Sequence, residues 1–402
     1  MTTALEKAQP SSLVSPPNGF QPVPPPDKKP RRLGRWFASD AAWPVTTMLV
    51  LWPVWWLLGI GEYAPVLFAI PMARRLYLWH ASGRRSLRLP PGFGIWLLFL
   101  LVTLFSLATI SETAPGTMAS PVSNRLISYS LRTISYLGAT ILLLYVGNLT
   151  ERELPRRRLA ALLGMVGLYT VAGGLAGMAL PQVKITSPLS YLVPASLQAS
   201  NGELQEMLHP SLSQVQNFLG YAAGRPTAPF TYTNMWGNSL AILVPWILVA
   251  WWSYGKSRKQ RRLAAAAAAI AVVPAIYSLN RGLWIGIGFA VVYVAVRLAA
   301  RGKMAVLGAL CGALALAAIV ILASPLQSVI SQRLDHGASN AGRTAGSLIA
   351  LQDGLASPVI GWGDTRHQQG SGSSIAVGRT ANCRNCGQTP IGGNGQVQLL
   401  LI

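Results

Sequence analysis

Past residue 40 the chain reads as long apolar runs cut by short polar segments, each run about 17 to 23 residues. Wound as an α-helix at 1.5 Å per residue, a run of that length crosses the roughly 30 Å hydrocarbon core of a bilayer. The pattern predicts nine spans: Ala42 to Ile60, Tyr63 to Trp79, Gly92 to Ile110, Leu126 to Gly147, Ala160 to Leu180, Thr231 to Trp252, Leu263 to Leu279, Leu283 to Ala300 and Met304 to Ala323. The closing run Leu399-Leu400-Leu401-Ile402 predicts a tenth, beginning at Val397 and cut short. The expected fold is therefore all-α, a polytopic integral membrane protein with nine to ten transmembrane helices. Residues 1–40 differ: they are polar, carry eight prolines and contain Asp27-Lys28-Lys29-Pro30-Arg31-Arg32. They predict a disordered tail, with no apolar core and cleavage site of a removable signal peptide. Residues 41–402 form the transmembrane domain.

Composition and charge sharpen this picture. The 402 residues are 51% hydrophobic and 11% charged, against roughly 25% charged in soluble chains. The net charge of +21 invites a nucleic-acid reading, which the placement of the charges opposes. With the N-terminus inside, 23 of the 33 Lys and Arg residues fall in the tail and in the loops expected on the cytoplasmic side, at Arg74 to Arg88, Arg152 to Arg158, Lys256 to Arg262 and Arg297 to Lys303. That is the bias of a multi-pass protein of the plasma membrane. A nucleic-acid footprint needs one contiguous basic face, so no nucleic-acid partner is expected. Membrane lipids are.

Two segments on the other side, 181–230 and 324–396, are too long to be connectors, and function concentrates in such loops. The second holds Cys383 and Cys386 in one Cys-x-x-Cys. That pair reads as a local disulfide, or as half of a metal site lacking two further ligands. Cys311, within the ninth span, reads as a packing residue.

All twelve carboxylates lie outside the spans, and no Asp-x-Asp occurs. A proton-driven carrier commonly keeps an ionisable group in the membrane, and a metal-dependent glycosyltransferase needs carboxylates for its divalent ion. Neither requirement is visible, and no metal or other cofactor is expected. The arginines are more informative. Arg132 sits about 9 Å inside the outer end of the fourth span, where an anion or carbonyl oxygens must meet its guanidinium. Arg281 occupies the tight outer turn Ser278-Leu279-Asn280-Arg281-Gly282, Arg225 precedes the sixth span, and Arg343 lies in the last loop. Guanidinium groups grip phosphate oxygens through paired hydrogen bonds and stay charged without a metal. Taken singly, each could equally pair with a helix C-terminus or a lipid phosphate. Together at the outer leaflet they suit the head of a diphosphate-bearing lipid carrier.

Two stretches carry a family resemblance. They are Gly224-Arg225-Pro226-Thr227-Ala228-Pro229-Phe230-Thr231-Tyr232-Thr233-Asn234, leading into a span, and Ser278-Leu279-Asn280-Arg281-Gly282-Leu283-Trp284-Ile285-Gly286, followed at a distance by Gly361-Trp362-Gly363. From roughly Leu51 to the end the chain resembles the O-antigen ligase and polysaccharide polymerase superfamily, particularly its actinobacterial members. The resemblance implies a C-type, metal-independent glycosyltransferase that moves a glycan from a polyprenyl-diphosphate donor to a saccharide or lipid-glycan acceptor on the outer face. It implies that Arg225 and Arg281 hold the donor diphosphate, that Asn234 lines the cavity beneath, and that Arg343 matches the loop arginine before the family's Gly-x-Gly. Asn280 and Arg132 join them as substrate-binding candidates. The family usually carries a histidine before the helix that closes the large loop. Here Pro390 to Gln396 has none, and His367 stands in for it as the acceptor-activating base. Ligase and polymerase remain equal readings. The competing class is a transporter or flippase of lipid-linked saccharides, which should show paired halves; the sequence shows no internal repeat.

Overall fold

The computed structural model describes residues 40–83, 85–115, 121–200, 202–217, 222–255, 257–323, 327–328, 330–331, 348 and 351–364. The tail up to residue 39, the tenth span, Cys383 and Cys386 lie outside these. Every one of the nine apolar runs is helical, and among the described residues five helices are long and apolar enough to cross a membrane.

The first run is broken. α1 (Trp43–Val50) and α2 (Trp52–Leu57) each open with a proline in the first turn. Pro53 has no N–H to continue the ladder and disfavours helical geometry before it, so the chain restarts at Trp52. α3 (Ala64–Ala81) carries Pro71, Arg74 and Arg75 within its length. α4 (Phe93–Phe105) tightens into a 3₁₀ turn, Ser106–Thr109, where the Ser106 hydroxyl donates to the Thr103 carbonyl at 2.7 Å. α5 (Val122–Asn148) and α6 (Arg156–Ala179) are long and apolar enough to cross a membrane, as is α9 (Thr233–Leu248) with its π-turn Val249–Ser253. α10 (Arg258–Tyr277) starts on basic residues behind a Ser257–Gln260 capping box. α11 (Arg281–Ala300) and α12 (Met304–Leu322) complete the helices, and α12 buries no residue.

Two apolar clusters hold the bundle together. One joins Val171 of α6 to Trp236, Leu240 and Ile247 of α9, Ala271 of α10 and Leu283 of α11. The other joins Leu162 of α6 to Val45 of α1, Met72 of α3 and Tyr145 of α5. α6 belongs to both because glycines let α9 lie against it. A Cβ at Gly174 would come within 2.5 Å of the Trp236 ring, one at Gly164 within 2.8 Å of Trp251, and one at Gly167 within 3.0 Å of Ile247. Without a water-exclusion force between helices in lipid, such small-residue seams supply close backbone approach. Trp236 Nε1 also donates to the Thr170 carbonyl at 2.9 Å.

The segment between α6 and α9 is more ordered than a connector. It forms a 3₁₀ turn (Pro188–Tyr191), α7 (Ala195–Ser200), α8 (Gly202–Leu208) and an antiparallel hairpin of β1 (Ser213–Asn217) and β2 (Ala222–Pro226). The hairpin departs from the all-helical expectation. Its polar strands lack the alternation that would have announced it. The Ser213 hydroxyl ties β1 to the Gly177 carbonyl of α6 at 2.7 Å, and the register sets Gln214 opposite Arg225.

At the other end of α5, Arg85 clasps Glu153 through two hydrogen bonds of 3.1 and 3.2 Å and also donates to the Asn148 carbonyl at 2.8 Å. Burial pushes the Glu153 pKa upward. Hydrogen bonds from Arg85 and from the Thr150 N–H and hydroxyl, with the Arg85 charge, outweigh it and leave the carboxyl below its ordinary value. A depressed folded-state pKa stabilises above the unfolded value of about 4.3 and is lost as pH falls through the folded value. Proteolysis of the 82–92 segment is accordingly expected to quicken below about pH 4 in the wild type. In Glu153→Gln it is expected to be faster at neutral pH and flat across that range.

Candidate functional site

Three residues, Ser278 to Asn280, turn the chain from α10 into α11. Leu279 sits at φ +54° and is buried, a region that β-carbon-bearing residues rarely occupy. Strain of this kind costs on the order of 1–3 kcal/mol and persists where neighbours over-determine it. Here they do. The Ser278 hydroxyl donates to the Ala275 carbonyl at 2.7 Å and accepts from the Asn280 N–H at 3.2 Å, while Asn280 Oδ1 caps α11 by accepting from the Leu283 N–H at 3.2 Å.

Arg225 locks the turn from outside. It is 4% exposed, and its Nε donates to the Ser278 carbonyl at 2.5 Å across 53 residues of sequence. The hairpin puts it there. Gly224 lets β2 press on Pro181, where a Cβ would meet the Pro181 ring at 2.7 Å, and the Thr233 hydroxyl bonds back to the Arg225 carbonyl at 3.4 Å. Arg281, half-buried, is the first residue of α11. A guanidinium there has the same sign as the helix N-terminus, so the turn concentrates positive potential. Asn280 is 8% exposed, and its Nδ2 has no hydrogen-bond partner among the described residues. The amide lies over Gly237 of α9, where any Cβ would strike it.

The structure thus brings Arg225, Asn280 and Arg281 to one turn. Asn234 is exposed on the first turn of α9, outside that buried cluster. Arg343 and His367 lie outside the described residues. Among the described residues no group of three or more His, Cys, Asp or Glu could hold a metal ion.

Arg132 belongs to a second set of neighbours. Its Nη2 meets Asp364 Oδ1 at 3.1 Å, with side chains 26% and 6% exposed. The sequence offered an anionic ligand or backbone carbonyls as its partner; the structure supplies a carboxylate 232 residues away. Asp364 is delivered by the Gly361-Trp362-Gly363 stretch. The Gly361 carbonyl accepts from the Thr109 and Ser357 hydroxyls, each at 2.8 Å, and Trp362 Nε1 donates to the Asp353 carbonyl at 2.9 Å. Gly363, at φ +74°, runs so close to α4 that a Cβ would come within 2.6 Å of the Ser106 carbonyl. Between this docked stretch, α4 and α5 is a cavity of about 110 Å³.

Sequence reasoning missed Asp364 and also Arg125, which is 3% exposed and donates to the carbonyls of Ile110 and Glu112 at 2.9 and 2.7 Å. Arg125 was findable, being an arginine at the rim of a span like Arg132. Asp364 had no such mark.

Removing one member of a buried ion pair strands the other charge. A double-mutant cycle of Arg132→Ala and Asp364→Asn, read by thermal unfolding in detergent, is expected to give a coupling of about 1–2 kcal/mol, the half-exposed guanidinium keeping it below the fully buried case.

Compared with known proteins, the chain matches no described protein family, no curated protein and no solved structure.

Proposed function

We propose that this chain is a multi-pass enzyme of the plasma membrane, its N-terminus cytoplasmic, that transfers a saccharide from a polyprenyl-diphosphate carrier to a saccharide or lipid-glycan acceptor on the outer face. The observation that supports it is the meeting of Arg225 with the strained Ser278–Arg281 turn. Two guanidinium-bearing elements far apart in sequence converge on one helix N-terminus. In the proposed reaction the acceptor oxygen bonds to the anomeric carbon and its proton passes to a base. The carbon–oxygen bond to the carrier breaks, and the diphosphate leaves with the electron pair. Charge therefore grows on the leaving group, where preorganised cationic donors stabilise a transition state most. Ligation to a lipid-linked acceptor and polymerisation share these steps.

Purified protein in proteoliposomes, given a lipid-linked oligosaccharide already on the exposed leaflet, tests the reading. Transfer to an added acceptor supports it. Movement of the donor across the bilayer with no transfer would establish the flippase class instead. Transfer is also expected to be unchanged by EDTA, because the proposed diphosphate clamp is made of guanidinium groups rather than a divalent ion. A tenfold fall on chelation, restored by magnesium, would reject the metal-free clamp.

A further inference from the structure

The cavity beside Arg132 has a chemistry of its own, distinct from the arginine turn. α5 is 27 residues long, roughly 40 Å and so about 10 Å longer than the hydrocarbon core. Arg132 is about 15 Å from the start of α5, more than that excess, so it lies within the span. Its neighbours in the cavity wall include Phe99 and Tyr136, whose rings meet edge to face with centroids 5.1 Å apart. Thr133 also lines it, and the buried Thr133 Oγ1 has no hydrogen-bond partner among the described residues. Four other hydroxyls of the lining are engaged: Ser357 on Gly361, Ser106 and Tyr129 on Thr103, and Thr103 on Phe99.

These features select a ligand class. A buried hydroxyl without a partner costs roughly 1–3 kcal/mol, which a polar ligand atom would recover. The cation in the wall is already neutralised by Asp364 at 3.1 Å, so an anion entering here must displace a nearly buried carboxylate and strand it. A neutral ligand meets no such penalty, and the Arg132 guanidinium in the wall offers it donors. The flat faces of Phe99 and Tyr136 suit the C–H face of a ring. At about 110 Å³ the space is smaller than the roughly 150 Å³ that encloses a benzene, so the ligand inserts one edge and leaves the rest outside.

We infer that the cavity between α4, α5 and the Ser357–Gly363 stretch binds one neutral sugar ring, with Thr133 and Arg132 taking its hydroxyls. The proposed glycan transfer supplies only the identity of what carries that sugar; binding itself is independent of it.

Saturation-transfer NMR on the full chain in detergent, with the methyl glycosides of glucose, galactose, mannose and arabinose, tests the site directly. At least one glycoside is expected to saturate at millimolar concentration. Thr133→Leu, which fills the cavity, should weaken it at least tenfold. The isosteric Thr133→Val, which removes only the hydroxyl, should weaken it severalfold while leaving thermal unfolding in place, so a folding defect in the first variant is separable. Arg281→Ala should bind the sugar as the wild type does, even where transfer is lost. The inference is overturned by the absence of a saturable signal from all four glycosides, or by undiminished binding in both Thr133 variants. Saturation by inorganic phosphate without any by sugar would overturn it in favour of an anion site.

Discussion

Arg281→Ala is expected to lower glycan transfer about 10²–10³-fold, the loss that accompanies removal of one preorganised transition-state donor, with a smaller fall in melting temperature than Arg225→Ala shows. The side chain is half-buried at the first position of α11, and its charge there opposes the helix dipole rather than supporting it. Removing it relieves that opposition. Arg225→Ala should behave differently. That guanidinium is buried and tethers the Ser278 carbonyl, a charged hydrogen bond worth about 1.5–3 kcal/mol, so activity and stability should fall together. Transfer assayed alongside thermal unfolding separates the two. If Arg281→Ala keeps wild-type transfer at saturating donor, the diphosphate-clamp reading is wrong.

Gly174→Leu should be strongly damaging to the bundle. A Cβ at this position already comes within 2.5 Å of the Trp236 ring and 2.9 Å of Pro274, so both α9 and α10 would have to move. Overpacking commonly costs 1–3 kcal/mol, and Trp236 and Pro274 both belong to buried helix faces. The variant is expected to unfold at least several degrees lower and to accumulate poorly in the membrane. The same change at Gly308 of α12, where nothing lies within 4 Å, should leave the melting temperature within a degree or so.

The helical architecture was legible because apolar run length is a local signal. Where helix and run differ, a local competitor intervened. Pro53 cut the first run into two helices, and the basic residues opening α10, together with Arg74 and Arg75 in α3, kept those runs from qualifying as apolar crossings. The site was legible only as residue types. That Arg225 and Arg281 should converge followed from a resemblance, whereas the atom that holds Arg225 to the turn before Arg281 is the Ser278 carbonyl, which every residue possesses and no pattern advertises. Leu279 gave no warning of its left-handed backbone, since glycine or asparagine is the usual sign of one. The Arg132–Asp364 pair spans 232 residues and forms because two glycines let a loop lie flat on α4. The hairpin bearing Arg225 is held by bonds to α6 and to the α10–α11 turn, neither of which its own polar strands encode.

α6 gives Leu162 to one cluster and Val171 to the other, so neither half of the molecule owns it. A cut made on either side of this rod leaves one piece without a wall that it needs, and that piece should survive only when its complement is synthesised in the same cell. A tilt imposed at one end of the rod would reach both halves at once, like a shared beam between two rooms.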